Sequence, residues 1–209
     1  MAGSLPPVIR MIPDKAVLRR QLRQARASIK PRQRRLAAAA FTRNAIRSGL
    51  LLRFRRIAFY IPMPAELDLR PLLNEALWRR RECWLPVVPQ GRGKRMRFTQ
   101  VHPDNGWYLN RYRIPEVAAR RSLPARALDL MFVPLVGFDP YGNRLGMGGG
   151  YYDGTLAFLR RRKAWRRPLL VGAAFECQKV AQLPADPWDQ PLDWVITESR
   201  VYRCKRRRQ

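Results

Sequence analysis

The segment from Asp139 to Leu156, DPYGNRLGMGGGYYDGTL, limits the fold of this chain more than any other segment. It follows the apolar stretch LDLMFVPLVGF at residues 128–138, which predicts a buried strand that enters a loop. After it, Tyr152, Leu156 and Leu159 recur at helical spacing. The predicted order is therefore strand, glycine-rich loop and helix. The first turn of such a helix leaves backbone N–H groups free to hold an anion.

The composition of the loop favours phosphate as that anion. Gly146 and Gly148–Gly150 have no side chains, so a bulky anion can approach the main chain closely. Arg144 can add a charge-assisted pair of hydrogen bonds, and Asp153 supplies a carboxylate that can bind a metal ion. The pattern GxxxxGKS/T is absent and a GxGxxG that starts at Gly146 fails at Tyr151, so neither a Walker ATPase nor a nicotinamide enzyme is indicated. A plain flexible turn between strand and helix is the alternative.

The composition predicts a soluble, cytoplasmic domain without a membrane segment. A chain of 209 residues is the length of one ordinary domain. Cys83, Cys177 and Cys204 show no CxxC spacing and are too few for a disulfide framework, which is typical of a reducing compartment. Neither a secretory signal pattern nor an apolar run near the ~20 residues of a membrane helix is present. The single histidine, His102, lies in a turn-rich stretch, so histidine triads and multi-histidine zinc sites are excluded.

Helical and strand patterns alternate along the chain. Helices are predicted from the N-cap Asp14 to about Ile29, at Arg32–Arg47 and at Leu69–Arg81, and strands at Arg56–Ile61, Cys83–Val88 and, as an added edge strand, Lys94–Val101. This alternation predicts an α/β fold: a layered α/β/α arrangement with a mostly parallel central sheet, Rossmann-like. In this prediction residues 14–203 form a single domain, with an N-terminal extension at 1–13 and a basic tail at 204–209.

The predicted order of elements also indicates where a ligand would bind. In open α/β sheets, ligands lie where loops leave the carboxyl ends of the strands. The loops at Tyr60–Asp68 and Gly137–Asp153 both follow predicted strands. We therefore expect the ligand site to lie between these two loops.

The sequence resembles a known enzyme family in four segments that occur in order. RLGMGGGYYD is similar to the core motif of the 5-formyltetrahydrofolate cyclo-ligase family, also called 5,10-methenyltetrahydrofolate synthetase. KAVLR at Lys15–Arg19 resembles the basic N-terminal helix segment of the family, and YIPMPAELDLRPLL at Tyr60–Leu73 its folate-facing strand and loop. VGAAFECQKVAQLPADPWDQPLDWVITE at Val171–Glu198 resembles its C-terminal strands and the segment between them. The resemblance covers roughly residues 14 to 203.

The resemblance implies a reaction. In the family, ATP phosphorylates the formyl oxygen of 5-formyltetrahydrofolate, the other folate nitrogen attacks the activated carbon, and loss of phosphate leaves 5,10-methenyltetrahydrofolate with ADP. Phosphoryl transfer needs positioning and charge stabilisation more than covalent help from the protein. The resemblance therefore implies ATP as co-substrate and Mg²⁺ as cofactor.

The resemblance also implies the residues of the site. The residues matched to ATP binding are Lys15, Ala16, Val17, Leu18, Arg19, Arg144, Leu145, Gly146, Met147, Gly148, Gly149, Gly150, Tyr151 and Tyr152. Those matched to folate binding are Ile61, Glu66, Met147, Gly148, Gly149, Gly150 and Tyr151. Arg144 and Tyr151 are the expected catalytic residues, and Asp153 and Asp189 the expected metal ligands. We expect Tyr151 to face the folate and Tyr152 the core.

Three positions depart from the family pattern. Gly149 stands where some relatives have lysine, Gly154 where a basic residue often follows YYD, and Trp188 where other members can have histidine. Each matched residue also has a structural alternative: a solvated basic helix for Lys15 and Arg19, core packing for the tyrosines, and helix or turn roles for the aspartates. None of the departures removes a residue that the chemistry requires.

The family does not explain the net charge of +27. Its basic blocks are Arg19–Arg26, Arg32–Arg35, Arg53–Arg56, Arg79–Arg81, Arg160–Arg167 and Lys205–Arg208. They fit the solvated faces of helices, or alternatively a surface for non-specific RNA contact, although no RRM, KH or zinc motif is present. Another ATP-dependent ligase of an anionic small molecule is the enzymatic alternative. We expect a monomer with no membrane contact.

Overall fold

The computed structural model describes residues 14–91, 93–119, 121–161 and 167–204. The predicted N-terminal extension at 1–13, most of the basic tail at 204–209, and residues 162–166 of the predicted block Arg160–Arg167 lie outside the described residues. The division of the chain into extension, domain and tail therefore stays a prediction.

Helices cover much of the first third of the chain. The α-helices among the described residues are α1 (Lys15–Ala27), α2 (Pro31–Arg47), α3 (Leu50–Arg53), α4 (Arg70–Trp78) and α5 (Tyr151–Leu156), and short 3₁₀ turns occur at Ala125–Ala127, Ala157–Arg161 and Glu176–Gln178. Asp14 caps α1 as predicted, because its side chain accepts a hydrogen bond from the backbone N–H of Ala16. Gly49, with φ of +75°, separates α2 from α3.

The strands among the described residues form one large sheet and two small ones. They are β1 (Arg56–Ala58), β2 (Glu82–Val87), β3 (Arg97–Gln100), β4 (Gly106–Leu109), β5 (Pro115–Ala118), β6 (Ser122–Pro124), β7 (Leu130–Pro134), β8 (Gly137–Phe138), β9 (Arg144–Leu145), β10 (Leu169–Ala173), β11 (Trp194–Ile196) and β12 (Val201–Arg203). The large sheet has eight strands in the order β12-β11-β10-β7-β1-β2-β3-β6. Its central strands from β11 to β2 pair in parallel, whereas β12, β3 and β6 pair antiparallel at the two sides. The predicted layered α/β fold with a mostly parallel sheet is confirmed.

The order of the parallel strands locates a crevice. Counted along the chain, they lie across the sheet as second, first, third, fourth and fifth, that is β2, β1, β7, β10 and β11. This is the flavodoxin-like variant of the doubly wound fold, whose switch point lies between the first and third strands. Loops that leave the carboxyl ends of β1 and β7 therefore diverge and open a crevice. The two predicted ligand loops are these loops.

Both faces of the sheet are covered, because successive strand residues point to opposite sides. Ile57 and Phe132 face the side on which α2, α3 and α4 pack. Their sequence neighbours Ala58 and Met131 face the other side, which α5 and the following 3₁₀ turn cover with Leu156 and Leu159. The sheet thus lies between two helical layers, as the alternation of elements predicts.

The predicted strand at residues 128–138 is divided in the structure. β7 ends at Pro134, and the chain then forms the hairpin β8–β9 before the glycine loop. Asp139 stabilises the turn of this hairpin, because its fully buried carboxylate accepts hydrogen bonds from the backbone N–H groups of Tyr141, Asn143 and Leu183. The predicted strand at Arg56–Ile61 likewise ends early, at Ala58, and Lys94–Val101 becomes a shorter strand with β6 outside it.

Helix α1 lies on the hairpin β8–β9 and not on the main sheet. Leu18 and Leu22 form a separate apolar cluster with Val136, Leu145 and Leu183. The chain thereby lays a basic helix directly beside the glycine loop. None of the helices in the described part of the chain is both long and apolar enough to span a membrane.

We expect Gly142→Ala to lower the free energy of unfolding by about 2–4 kcal/mol, measured by urea denaturation. Gly142 has φ of +87°, and an added methyl group would lie 2.5 Å from the carbonyl oxygen of Leu192. Gly49→Ala is the matched control, because Gly49 has φ of +75° but open space around it, so only backbone strain of about 1 kcal/mol applies. Equal losses in the two variants would contradict the steric overlap at Gly142.

Candidate active site

The loop after β1 turns Glu66 inward. Its backbone N–H donates to the carbonyl of Met63 at 2.9 Å, and its carboxylate accepts from the N–H of Met63 at 3.0 Å. Ala65, in the middle of this turn, adopts a positive φ of 71°. The Glu66 side chain is only 8% exposed, so the turn directs it into the protein and not into solvent. Ile61, at the start of the same loop, packs against the main core.

The glycine loop that follows β9 is open on one side. Gly148 has φ of +96°, and a methyl group added there would meet nothing within 4 Å. Gly150 is the N-cap of α5 with φ of +72°. Met147, just before Gly148, is 56% exposed. The conformation therefore requires glycine at 148 and 150, and it leaves space above the main chain for a ligand.

Helix α5, at six residues, is shorter than the sequence pattern indicates. The chain continues from it directly as a 3₁₀ turn at Ala157–Arg161. A short helix has a weaker dipole, so anion binding here depends more on individual N–H groups and on nearby cations.

Two predicted ATP residues on α1 contact two different segments of the site. Arg19 donates from Nε to the carbonyl of Gly146 at 2.9 Å and so fixes the start of the glycine loop. The Lys15 ammonium donates to Asp186 at 2.6 Å and to Asp189 at 2.9 Å. Burial alone would lower the pKa of Lys15, but its bonds to the two carboxylates more than offset this and raise it.

The other predicted ATP residues of α1 have no polar side chain to offer to the glycine loop. Ala16 and Val17 are exposed, and Leu18 lies in the apolar cluster beneath the helix. The backbone N–H of Ala16 already bonds to the Asp14 cap. Lys15 and Arg19 are therefore the members of this segment whose polar groups reach the site.

Each predicted metal ligand is paired with a predicted phosphate-binding cation. Arg144 donates to the carboxylate of Asp153, and the Arg144 side chain is 5% exposed with its Nε buried and unpartnered. Asp189 bonds to Lys15 and also accepts from the backbone N–H of Asp186 at 2.9 Å. Among the described residues, no group of three or more His, Cys, Asp and Glu is gathered closely enough to hold a metal ion.

The two adjacent tyrosines point in different directions. The hydroxyl of Tyr151 is exposed, accepts from Arg111 at 2.5 Å and lies 2.7 Å from the hydroxyl of Tyr112. These hydrogen bonds, that of Tyr112 first, lower the pKa of Tyr151. The hydroxyl of Tyr152 is enclosed, and burial raises its pKa. This arrangement matches the expected inward direction of Tyr152, while the contact of Tyr151 with folate stays a prediction.

Arg26, which sequence analysis missed, is buried on α1. It is 5% exposed, and its Nη1 lies 3.7 Å from the Glu66 carboxylate. Burial raises the pKa of Glu66, and the bond from Met63 and the charge of Arg26 oppose that rise. In the sequence, Arg26 sits four residues after Leu22, on the apolar face of α1, and that position was the available signal.

Lys94 is a second residue that the sequence analysis missed. It lies against α5 at Gly154. A methyl group on Gly154 would lie 3.0 Å from Cβ and 3.2 Å from the carbonyl oxygen of Lys94, so this close approach favours glycine at 154. The hydroxyl of Thr155 bonds to the same carbonyl at 3.3 Å. A methyl group on Gly150 would lie 3.2 Å from the Lys94 ammonium. A cation from outside the glycine loop therefore stands beside it.

Two cavities are lined by described residues outside the Glu66 loop and the glycine loop. One, of about 350 Å³, lies between the end of β2 and the hairpin β4–β5, and Arg111 at its rim bonds to Tyr151. The other, of about 520 Å³, is lined by the end of α2 with β11 and β12, where Trp194 begins β11. That position is at the amino ends of the parallel strands, away from the glycine loop.

Comparison with known proteins agrees with this geometry. A model of the 5-formyltetrahydrofolate cyclo-ligase family matches residues 11–198. The chain belongs to this family. It is 37% identical over 185 residues to the 5-formyltetrahydrofolate cyclo-ligase of Escherichia coli strain K12, which covers 87% of this chain and 98% of that protein. It is 32% identical over 177 residues to the enzyme of the same name from Haemophilus influenzae, across 84% of this chain and 92% of that protein.

Solved structures of the family share the fold. The 5,10-methenyltetrahydrofolate synthetase of Aquifex aeolicus superimposes with a TM-score of 0.78 at 31% identity, over 93% of this chain and 95% of that one. The synthetase of Mycoplasma pneumoniae superimposes with a TM-score of 0.68 over 89% of this chain and 99% of that one. At 23% identity, the latter likeness shows the fold alone. The resemblance of the four sequence motifs is thus confirmed as family membership.

Proposed function

We propose that this chain is a 5-formyltetrahydrofolate cyclo-ligase, which uses ATP to convert 5-formyltetrahydrofolate to 5,10-methenyltetrahydrofolate with release of ADP and phosphate. One observation carries the proposal beyond family membership. The Glu66 loop leaves β1, and the hairpin β8–β9 with the glycine loop follows β7; β1 and β7 are the two strands that flank the switch point of the sheet. Two substrates that must react with each other would therefore meet in one crevice.

On the ATP side, the proposed ligands are backbone donors and cations. The N–H groups of the glycine loop, with Arg19 and Lys15 from α1, would hold the phosphates. The ammonium of Lys94 stands at the same loop. Arg144 is proposed to act on the transferred phosphoryl group, because its buried Nε has no partner and remains available as a donor.

On the folate side, the proposed contacts are Glu66 for the polar edge of the pterin and Ile61, Met147 and Tyr151 for its apolar surface. A carboxylate suits N–H donors, which a pterin presents along one edge. The formyl oxygen attacks the terminal phosphorus and ADP leaves. The second folate nitrogen then attacks the formyl carbon, the phosphate leaves with the former formyl oxygen, and the proton of that nitrogen passes to the phosphate or to solvent. The protein positions these groups and supplies positive charge without a covalent intermediate on its own side chains.

Carboxylate oxygens are the ligands that a hard divalent cation such as Mg²⁺ prefers. Asp186 and Asp189 already direct one oxygen each at a single ammonium, that of Lys15, and Asp153 holds the guanidinium of Arg144. When bound, Mg²⁺ would neutralise charge on the transferred phosphoryl group. We propose that Asp153 and Asp189 ligate it, with Asp186 as a further candidate. Lys15 and Arg144 would then pass from these carboxylates to phosphate oxygens.

The reaction is tested with purified protein, 5-formyltetrahydrofolate and Mg-ATP, by absorbance of the methenyl product and release of ADP. Product should form only with ATP, in equal amount to ADP.

Arg144→Ala should lower kcat by about 100-fold, as loss of one donor to developing charge does, and should change folate affinity little. Arg35→Ala, an exposed arginine of α2, is the matched control. ADP release without methenyl product, in the presence of a different anionic acceptor, would indicate another ATP-dependent ligase.

The ion pairs of Lys15 with Asp186 and Asp189 predict that Lys15 competes with a metal ion for these two carboxylates. Lys15→Met keeps the length of the side chain and removes its charge, so both carboxylates lose their cation. Affinity for Mg²⁺ without nucleotide, measured by calorimetry, should rise about fivefold, because a partly exposed ion pair contributes up to about 1 kcal/mol. ATP affinity should fall in the same variant. Arg20→Met, an exposed neighbour on α1, should leave both affinities unchanged.

Unchanged Mg²⁺ affinity in Lys15→Met would contradict the proposal that Mg²⁺ displaces Lys15 from the two carboxylates. Lys15 would then have only a structural role in its ion pairs. Raised Mg²⁺ affinity with unchanged ATP affinity would remove Lys15 from the phosphate site. The two measurements therefore separate its two proposed roles.

We further expect the chain to act in the cytoplasm as a monomer. Cys83 and Cys177 are free thiols, which is what a reducing compartment would leave. Size-exclusion chromatography with light scattering tests the oligomeric state, and a dimer mass at micromolar concentration would contradict it.

The basic surface supports a second, accessory proposal, non-specific RNA contact. Arg20 and Arg23 on α1 and Arg32 and Arg35 on α2 are exposed, and the whole chain carries a net charge of +27. Affinity for unrelated RNAs should then be similar and should fall steeply with salt. Replacing these four arginines by glutamine should flatten the salt dependence without changing folate turnover. Absence of RNA binding at low salt would leave them as solvated helix faces.

A further inference from the structure

The buried face of α1 carries charge as well as apolar side chains. Lys15, Arg19 and Arg26 lie on the same side of the helix as Leu18 and Leu22, because residues three, four, seven and eleven apart fall on one face. Leu18 and Leu22 are buried against the hairpin β8–β9. Near its start the helix therefore presents Arg19 to the glycine loop and Lys15 to the carboxylates of Asp186 and Asp189. Near its end it presents Arg26 to Glu66.

Arg26 is held in place by few but specific contacts. Its Nη1 lies 3.4 Å from the carbonyl of Leu135, which also accepts from the Gln178 amide at 2.8 Å. The same Nη1 is 3.7 Å from Glu66, and Nε is buried with no partner. Both side chains of the ion pair are less than one tenth exposed. Burying a guanidinium costs free energy unless a nearby negative charge compensates it. For Arg26 that charge is the Glu66 carboxylate.

Glu66 needs such a cation to act as proposed. An acceptor for the N–H donors of a pterin must be ionised, and burial favours the neutral acid. The other titratable groups whose charges interact with Glu66 are the hydroxyls of Tyr60, after β1, and Tyr152, on α5. Burial raises the pKa of both, so they remain neutral. The charge of Arg26 and the N–H of Met63 are what favour the carboxylate.

We propose that Arg26 is a positioning residue for folate recognition: it holds the Glu66 carboxylate charged and oriented toward the crevice. The proposal rests on the role of Glu66 given above. It also means that one rigid helix connects the two halves of the site, since the same face that fixes the glycine loop through Arg19 fixes the folate carboxylate through Arg26.

The first test is the titration of Glu66 itself. With ¹³C-labelled glutamate and Glu66→Gln for assignment, the pKa of Glu66 should be higher in Arg26→Met than in the parent chain, and Arg26→Lys should restore it in part. A pKa that does not change in Arg26→Met would overturn the proposal. This measurement needs no substrate, so it tests the ion pair even if the proposed reaction fails.

The second test is a double-mutant cycle on substrate affinity. Arg26→Met should weaken 5-formyltetrahydrofolate binding roughly tenfold, the loss expected for one charge-assisted contact, with the pH midpoint of binding moved upward. ATP affinity should stay the same. In a Glu66→Gln background, Arg26→Met should cause no further loss of folate affinity.

An equal loss in both backgrounds would show that Arg26 acts through the fold and not through Glu66. Arg26→Lys, which keeps the charge and the packing stem, guards against a variant that fails to fold. Failure of all variants and of the parent to bind folate, with the Glu66 titration as expected, would reject the proposed function and keep the ion pair.

Discussion

The packing of α1 on the hairpin β8–β9 is the interaction on which the site depends. Burial of Leu18 and Leu22 against Val136, Leu145 and Leu183 contributes roughly 1.5–3 kcal/mol for each leucine. The ion pairs that the helix makes at Lys15 are partly exposed and contribute at most about 1 kcal/mol each. Apolar packing therefore holds the helix in place, and the charged groups set which atoms face the crevice.

Charge compensation is the second feature of the site. The acidic groups that the reaction would use are each paired with a cation: Asp153 with Arg144, Asp189 with Lys15 and Glu66 with Arg26. An unpaired charge in these half-buried positions would be costly, so the pairs stabilise the site before any substrate binds. The same charged groups are then available to substrates, because each cation or carboxylate can change partner when phosphate, metal or folate binds.

The sequence alone was sufficient for the family, the layered fold and the loops that meet at the crevice. These depend on local patterns: a glycine run, alternating elements and a helix cap. The hairpin β8–β9, which divides the predicted strand at 128–138, was not predictable, because Asp139 in its turn accepts a hydrogen bond from the backbone N–H of Leu183 in a distant segment. Arg26 and Asp186 were missed for a similar reason. An arginine on a basic helix predicts solvent exposure, whereas Arg26 is buried on the apolar face of α1 beside Glu66 and the carbonyl of Leu135.

The departures of this chain from the family pattern have a structural counterpart in Lys94. Gly149 leaves the glycine loop without a side-chain cation, and Gly154 leaves α5 without one. The absence of a side chain at Gly154 is what admits the backbone of Lys94 to within 3.2 Å of the position a methyl group would take, and the Lys94 ammonium then stands at Gly150. A charge at a given point in space can come from any segment that reaches it, so electrostatic stabilisation of an anion does not require a particular sequence position. In this chain the segment before β3 brings the Lys94 ammonium to the glycine loop. Gly154, which replaces a basic residue of the family motif, gives the Lys94 backbone the room for this approach.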